Sequence, residues 1–243
     1  MQKTKIEWVK NPDGSPGYVF NPIKGLCPVG CWYCYARKIY KRFGEQIMGD
    51  YEDDDGGSSL DIHTPFLADP TIEKFPKKAA RIFVCSTFEL FHPVADTWRD
   101  QIFEVIEKHP EHTFILLTKL PQHIDREMPE NVWLGTTITC VGGDEENADA
   151  LEDIQAKIKF ISLEPLMGEP SAIFQKIKKL NWLIVGRLTG MRHSKYSQGP
   201  WPVHYIWLKA LVGRARLDGV PIFLKDNLSG IWPGKLIQER PKG

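Results

Sequence analysis

Net charge is absent from this sequence, because 31 lysines and arginines balance 31 aspartates and glutamates. A neutral chain gives no support to bulk attraction by a nucleic-acid backbone, although a local basic patch would still permit it. Long apolar runs are absent too, since no stretch of about eighteen apolar residues occurs, and we expect no membrane span. Residues 1–8 lack the apolar stretch of a signal peptide, so we expect a cytoplasmic protein.

Cysteine is scarce, and its number argues against a disulfide framework. The chain has five cysteines, an odd number, which in a reducing compartment favours metal binding or buried thiols over disulfide bonds. A phosphate-binding glycine motif is missing after the first predicted strand, which disfavours a dinucleotide-binding fold. The segment 50–59 is rich in acid, glycine and serine, and it predicts a solvated loop rather than an acidic partner site.

Short apolar runs alternate along the chain with amphipathic stretches. The runs are rich in β-branched residues and continuously apolar, as is typical of strands buried on both faces. The predicted strands are 18–21, 81–86, 113–118, 132–138, 159–163, 182–185 and 220–224. The predicted helices are 35–43, 94–108, 121–128, 145–157, 171–180 and 203–217, and Pro202 and Gly219 fit the two ends of the last.

This alternation predicts an α/β fold with a parallel sheet, in a single domain that spans residues 1–243. Six or seven strand–helix units favour a partial or closed (β/α)6-7 barrel, with the acidic segment as a loop insertion near 50–60. An open doubly wound sheet is the alternative. Either architecture would place a ligand site at the carboxyl ends of the strands.

The most specific motif places Cys27, Cys31 and Cys34 at C-x3-C-x2-C spacing. Three thiolates on one short loop can each hold one iron of a [4Fe–4S] cubane, which leaves the fourth iron without a protein ligand. Pro28 and Gly30 favour the tight turn that directs the sulfur atoms inward. A metal position that the protein leaves open suits substrate coordination, whereas structural metal sites are normally fully ligated.

A zinc site is the main alternative for these cysteines. It needs a fourth ligand, for which the sequence offers Cys85, Cys140, His63 and His92. Zinc-binding sequences usually carry two C-x2-C pairs, and a second pair is missing from the sequence. Structural or redox-active thiols are a further alternative, which is disfavoured because a loop is a poor place to bury a thiol. Cys85 and Cys140 are better explained as core thiols or as part of the site wall than as ligands.

The cysteine motif resembles the C-x3-C-x-aromatic-C signature of the radical S-adenosylmethionine (radical SAM) superfamily, in which Tyr33 fills the aromatic position. Further segments resemble a phage-associated family of three-cysteine-motif proteins of unsettled function. These segments are 21–22, 25–27, 34–36, 83–86, 91–93, 117–119, 134–137 and 162–166. The resemblance covers most of the chain, from residue 4 to residue 225.

The resemblance implies two cofactors, a [4Fe–4S] cluster and S-adenosylmethionine. In the superfamily, an electron from the cluster cleaves S-adenosylmethionine to methionine and a 5′-deoxyadenosyl radical, which abstracts hydrogen from the substrate. An external electron donor such as flavodoxin or ferredoxin is implied as a partner. We expect a small anionic or nucleotide-like substrate. Two other functions stay open, namely modification or repair of nucleic acid, and a zinc-binding module without catalysis.

The resemblance also implies roles for residues near the strand ends. The residues expected to bind the cofactors, besides the cysteines, are Tyr33, Ser86, Thr87, Glu89, Thr136, Thr137, Ser162 and Glu164. Those expected to act in catalysis are Glu164, Lys119 and Arg187. The superfamily holds the methionine ammonium with a Gly-Gly-Glu stretch, of which this chain matches only the glutamate, Glu89. The alternative is that Glu89 is an acidic residue at the start of a helix. Thr136, Thr137 and Thr139 would bond ribose hydroxyls, or they serve only as strand formers.

A carboxylate directly after a buried strand is costly without a partner, so Glu164 should meet a cation such as Lys119, Arg187 or the ammonium of a ligand. Lys119 and Lys225 each follow a strand and would bind a substrate anion or close an ion pair. After Gly186 the family continues Gly-Glu-Ser-Gly, whereas this chain has Arg-Leu-Thr-Gly. The loop 187–201 is basic and aromatic, which suits a phosphate- or nucleobase-bearing substrate unless the loop is merely solvated.

Overall fold

The computed structural model describes residues 1–48, 64–189 and 202–242. The acidic loop predicted at 50–59 lies outside the described residues, and so do His63 and residues 190–201 of the predicted substrate loop. No helix in the described part of the chain combines the length and the apolar character needed to cross a bilayer.

The strands form one large sheet and one small one. In chain order they are β1 (Gln2–Lys3), β2 (Tyr18–Phe20), β3 (Ile23–Lys24), β4 (Phe66–Leu67), β5 (Arg81–Val84), β6 (Thr113–Thr118), β7 (Val132–Thr137), β8 (Ile158–Leu163), β9 (Trp182–Val185) and β10 (Ile222–Leu224). The large sheet has eight strands in the order β1-β2-β5-β6-β7-β8-β9-β10, and β3 pairs with β4. Every pair from β2 to β10 in the large sheet is parallel, whereas β1 is antiparallel to β2.

Five helices connect the strands in the described residues, and several are shorter than predicted. They are α1 (Tyr35–Met48), α2 (Asp96–Glu107), α3 (Asn147–Asp153), α4 (Phe174–Ile177) and α5 (Tyr205–Leu217). The helix predicted at 121–128 is wrong, because only a 3₁₀ turn at Pro121–His123 forms before the chain becomes extended at Ile124. The helix predicted at 171–180 begins as a 3₁₀ turn, Ser171–Ile173, and continues only as α4.

The large sheet curves around Trp8, which precedes β2 in the chain. The ring of Trp8 lies 5.0 Å from Phe83 on β5 and 6.0 Å from Trp182 on β9. Four strand spacings separate β5 from β9, which in a flat sheet would be about 19 Å. One indole can reach both strands only because the sheet bends towards it, so the face that carries Phe83 and Trp182 is concave.

The two faces of the sheet are covered differently, because side chains alternate along each strand. The concave face is packed with aromatic and aliphatic side chains from the strands and with Trp8 and Val9. The convex face packs against the helices, for example against Ile102 and Leu208. In the described residues the helices therefore cover one face, which argues against the doubly wound alternative. The predicted α/β fold with a mostly parallel sheet is confirmed, but the described strands do not close into a barrel.

Candidate functional site

The cysteine motif lies on the loop between β3 and α1. The loop turns tightly, since the backbone N–H of Cys34 donates to the carbonyl of Cys31 at 3.1 Å. Gly30 has a φ of +69°, which a residue with a side chain adopts rarely. The guanidinium of Arg37 donates to the carbonyl of Cys27 at 3.3 Å and ties the loop to the first turns of α1. All three thiols are half-buried and free of disulfide bonds.

This loop lies against the carboxyl edge of the large sheet. The hydroxyl of Tyr35 donates to the carbonyl of Ser86, just beyond β5, at 2.6 Å. The charge of Lys119, which follows β6, is close enough to act on the pKa of Cys31. The carboxylate of Glu89 is likewise close enough to Cys27 to act on its pKa, in the opposite direction. The cysteines and the residues that follow β5 and β6 therefore lie close together at this edge of the sheet.

The spacing of the thiols bears on the metal they could hold. Thiolates on one tetrahedral zinc ion lie about 3.8 Å apart, because each Zn–S bond is about 2.3 Å long. Among the described residues, Cys27, Cys31 and Cys34 are not gathered as the ligands of one metal ion. Ligands of zinc must converge on one ion, whereas the thiolates of a cluster bind separate irons and need not do so.

Two of the three thiols, those of Cys27 and Cys31, are poorly ionised without a cation. Burial raises the pKa of Cys27 to about 11, and the carboxylate of Glu89 contributes to the increase. Burial also raises the pKa of Cys31, although the ammonium of Lys119 opposes the shift. A thiolate is the form that binds metal, so a bound cation would replace protons at these sulfur atoms at neutral pH.

A cleft of about 490 Å³ opens beside the cysteine loop. Its lining residues come from the loop, from the ends of β6 and β7, and from the segments that follow β7 and β8. They are Trp32, Tyr33, Lys119, Thr137, Thr139, Val141, Gly142, Asp144, Asn147 and Met167. Three of the predicted site residues therefore line the cleft, namely Tyr33, Lys119 and Thr137. The volume is in the range of clefts that bind small ligands and cofactors.

Lys119 connects two walls of this cleft. Its ammonium lies 5.4 Å from the centre of the Tyr33 ring, a cation–π distance. Its backbone carbonyl accepts a hydrogen bond from the side chain of Asn147 at 3.2 Å. Lys119 is thus held at both ends, with its charge directed towards the cysteine loop.

Both carboxylate oxygens of Glu89 accept hydrogen bonds from the protein. Its Oε1 accepts from the hydroxyl of Thr118 at 2.6 Å and from the backbone N–H of Phe91 at 3.2 Å. Its Oε2 accepts from the backbone N–H of Lys119 at 2.7 Å. Burial raises the pKa of this carboxyl above its usual range, and the three donors oppose the shift. Glu89 therefore joins the ends of β5 and β6, and its alternative interpretation as a helix-start acid is wrong.

The remaining hydroxyl residues lie within or just beyond the strands. Thr136 is buried and donates to the carbonyl of Thr118 at 3.0 Å, so its hydroxyl bridges β7 to β6. Ser162 is fully buried, and its hydroxyl has no hydrogen-bond partner among the described residues. Ser86 donates through its backbone N–H and its hydroxyl to the side chain of Asn21, at 2.7 and 3.1 Å. Thr87 is half-buried in the same turn.

Glu164 forms its ion pair with Lys225 rather than with Lys119 or Arg187. The ammonium of Lys225 also lies 4.0 Å from the carboxylate of Glu7. Lys225 follows β10 and Glu164 follows β8, so the pair spans the intervening end of β9. Gly186 occupies that end, and a Cβ there would lie 2.9 Å from the Cδ of Lys225.

Arg187 is fixed through its backbone. Its N–H donates to the side chain of Asn227 at 3.2 Å, and its carbonyl accepts from the same side chain at 3.0 Å. The Nε of Arg187 is buried without a hydrogen-bond partner among the described residues. No hydrogen bond or ion pair in the described part of the chain joins Arg187 to Glu164, so these two expected catalytic residues are not paired. The loop residues 190–201, which carry its predicted basic and aromatic neighbours, lie outside the described residues.

In one wall of the cleft, the segment after β7, sequence reasoning identified only Thr139 and missed the other lining residues. Asp144 accepts from the N–H and the hydroxyl of Thr139, both at 2.6 Å, and from the N–H of Cys140 at 3.0 Å. The signal was the pair Gly142-Gly143, whose φ angles of +74° and +81° permit the turn. Cys140 and Cys85 are buried, as expected of thiols that are not ligands.

Comparison with known proteins gives one match. A family model described as "Protein of unknown function (DUF5131)" matches residues 3–241, which is nearly the whole chain. The search of curated proteins found no match. A function therefore has to be inferred from the geometry of the site.

Proposed function

Since the chain belongs to the DUF5131 family of proteins of unknown function, we propose a function from its own site: it is a radical SAM enzyme. The observation that carries the proposal is the position of Cys27, Cys31 and Cys34 on one loop at the carboxyl edge of a parallel sheet, beside a cleft of about 490 Å³. Active sites of (β/α) barrels lie at this edge. The curvature of the sheet around Trp8 supports a partial barrel.

The residues present fit a [4Fe–4S] cluster. Three half-buried thiols on one turn would supply one ligand to each of three irons. When bound, the cluster supplies the electron that cleaves S-adenosylmethionine to methionine and a 5′-deoxyadenosyl radical, with an external donor such as flavodoxin or ferredoxin as the source. Every other part of the reaction depends on how the chain binds and orients its ligands.

The cleft offers groups for each part of S-adenosylmethionine. Lys119 places a positive charge near the cysteine loop, where a carboxylate would be neutralised. Thr137, at the end of β7, presents a hydroxyl that can bond a ribose hydroxyl. Tyr33 and Trp32 supply aromatic surface for an adenine ring, and Val141 and Met167 exclude water from the cleft. Glu89 contributes indirectly, because its carboxylate accepts from the backbone N–H of Lys119 and so positions that residue.

The substrate class follows from the charge of this edge. Lys119 is a fixed cation in the cleft, and Arg187 follows β9 at the same edge. These cations, together with the aromatic rings of Trp32 and Tyr33 in the cleft, suit a small anionic or nucleotide-like substrate. Binding of oligonucleotides that weakens steeply with salt would instead indicate a nucleic-acid substrate, because phosphate contacts release counterions.

Anaerobic reconstitution with iron and sulfide tests the proposal. We expect a brown protein with about four irons per chain, which produces 5′-deoxyadenosine and methionine when it is given dithionite and S-adenosylmethionine. Cys27→Ala, Cys31→Ala and Cys34→Ala should each abolish this cleavage. Cys140→Ala is the matched control and should retain it, because Cys140 is buried apart from the loop. A colourless protein that holds one zinc through these cysteines would reject the proposal.

A further inference from the structure

A second group of metal-ligating side chains lies at the opposite end of the sheet. His109, Glu111 and His112 occupy the short connection between α2 and β6, where β6 begins. The cysteine loop lies instead at the edge where the parallel strands end. The two groups therefore belong to separate sites.

The three side chains converge. The Nδ1 of His109 lies 3.2 Å from the Oε1 of Glu111, and the Nε2 of His112 lies 3.5 Å from the same oxygen. One ligand atom from each residue falls within 4.8 Å of the other two. Two imidazoles and one carboxylate are a common ligand set for zinc and related divalent ions.

The buried ring of His112 is an independent sign of a missing partner. The residue is only 1% exposed, yet neither ring nitrogen makes a hydrogen bond among the described residues. Buried polar groups are nearly always paired, so an unpaired imidazole needs an explanation.

The surroundings hold the ligands in place. The ring of Phe75 stacks on His109 at 4.1 Å and on His112 at 5.8 Å between ring centres. The side chain of Asn131 donates to the carbonyl of His109 at 3.2 Å. The N–H of His112 donates to the same carbonyl at 3.1 Å and closes the turn. The backbone that carries the ligands is thus fixed before any ion binds, which favours metal binding.

We propose that His109, Glu111 and His112 bind one divalent transition-metal ion of the zinc class. The site lies where strands begin, an end of parallel-sheet enzymes that serves stability rather than catalysis. The ion would join the connection between α2 and β6 and would give the buried imidazole its partner. This proposal does not depend on the radical reaction at the other end of the sheet.

Zinc binding to the full-length Cys27→Ala/Cys31→Ala/Cys34→Ala variant tests the proposal, because this variant lacks the competing thiols. After treatment with EDTA, we expect the variant to bind one Zn²⁺ per chain in a calorimetric titration. Co²⁺ should give visible d–d absorption without a thiolate charge-transfer band. At a zinc concentration about 100-fold above Kd, the Tm should rise by at least about 5 °C. Absence of stoichiometric zinc binding would overturn the proposal.

Substitutions locate the ion. Glu111→Gln, at an exposed position, should weaken zinc binding at least about 10-fold. Glu107→Gln is the matched control, because it replaces an exposed carboxylate nearby, at the end of α2. It should leave the affinity unchanged. His112→Phe keeps a ring of similar shape in the core, so it should fold in EDTA with an unchanged or higher Tm and lose the zinc-dependent rise. Zinc binding that survives both Glu111→Gln and His112→Phe would show that the ion sits elsewhere and would reject the site.

Discussion

The ammonium of Lys119 lies 5.4 Å from the centre of the Tyr33 ring, which joins the end of β6 to the cysteine loop. Tyr33 stands between two of the cysteines in the sequence, and Lys119 acts on the pKa of Cys31. The contact therefore brings a positive charge and an aromatic ring to one wall of the cleft, next to the thiol of Cys31. We expect this wall to bind the anionic part of a ligand.

Replacing Lys119 tests that expectation. Lys119→Met should leave the iron content of the reconstituted protein unchanged but weaken S-adenosylmethionine binding about 10-fold or more, since a charge-assisted hydrogen bond contributes about 1.5–3 kcal/mol. Equilibrium dialysis with labelled S-adenosylmethionine measures the effect. Lys119→Arg should restore most of the affinity because it keeps the charge. An unchanged Kd in Lys119→Met would assign the ammonium to the substrate or to the loop instead of the cofactor.

Glu89 should contribute to stability through its three donors. Glu89→Gln would turn an amide N–H towards a backbone or hydroxyl donor, and a buried group left unpaired costs about 1–3 kcal/mol. Urea unfolding monitored by circular dichroism measures the loss. Glu127→Gln, at an exposed position, is the control and should change the free energy of unfolding little. A loss of S-adenosylmethionine cleavage with full stability would point to direct contact with a ligand.

The Glu164–Lys225 pair should show measurable coupling, because the side chains are only 27% and 14% exposed. Glu164→Gln and Lys225→Met should each lower the free energy of unfolding by about 1–3 kcal/mol, and the double variant should lose less than the sum. The exposed pair Glu104–Lys108, in which both side chains are more than 60% exposed, is the control. We expect a coupling of at most about 0.5 kcal/mol there. Equal coupling in both pairs would contradict the structure.

Gly135 should be intolerant of a side chain. It lies in β7, and a Cβ there would approach the ring of Phe160 to 2.4 Å. Gly135→Ala should therefore destabilise the protein by about 1–3 kcal/mol through overpacking. Gly213→Ala, in α5, meets no atom within 4 Å and should stabilise by up to about 1 kcal/mol through helix propensity. Thermal unfolding of both variants compares them, and a neutral Gly135→Ala would mean that the concave face is loosely packed.

Much of the fold could be predicted because the strands are apolar on both faces. The bounds of β6 and β9 agree with the sequence-based prediction to the residue, since polar residues or turns follow directly. The helices were harder, because their ends depend on tertiary contacts. After Pro121, for instance, the chain leaves the helical turn, and the N–H of Met128 pairs with the carbonyl of Gln155. A contact between residues so far apart in the chain leaves no local pattern in the sequence.

The candidate site was predictable in composition but not in pairing. The resemblance of the cysteine motif to a known signature identified Tyr33, and position after or at the end of strands identified Lys119 and Thr137; all three line the cleft. The partner of Glu164 was not identifiable, because several cations follow strands and only the order of β8, β9 and β10 selects Lys225. Gly186 was the relevant signal in the sequence, because the absence of a side chain there lets Lys225 approach Glu164.

The aromatic filling of the concave face has a consequence for what this protein can accept. Trp8 and the rings around it fill the interior of the curved sheet, so a ligand cannot bind inside it. A ligand of the proposed enzyme would therefore bind at the rim of the sheet, where the loops rather than the strands would select its size and chemistry.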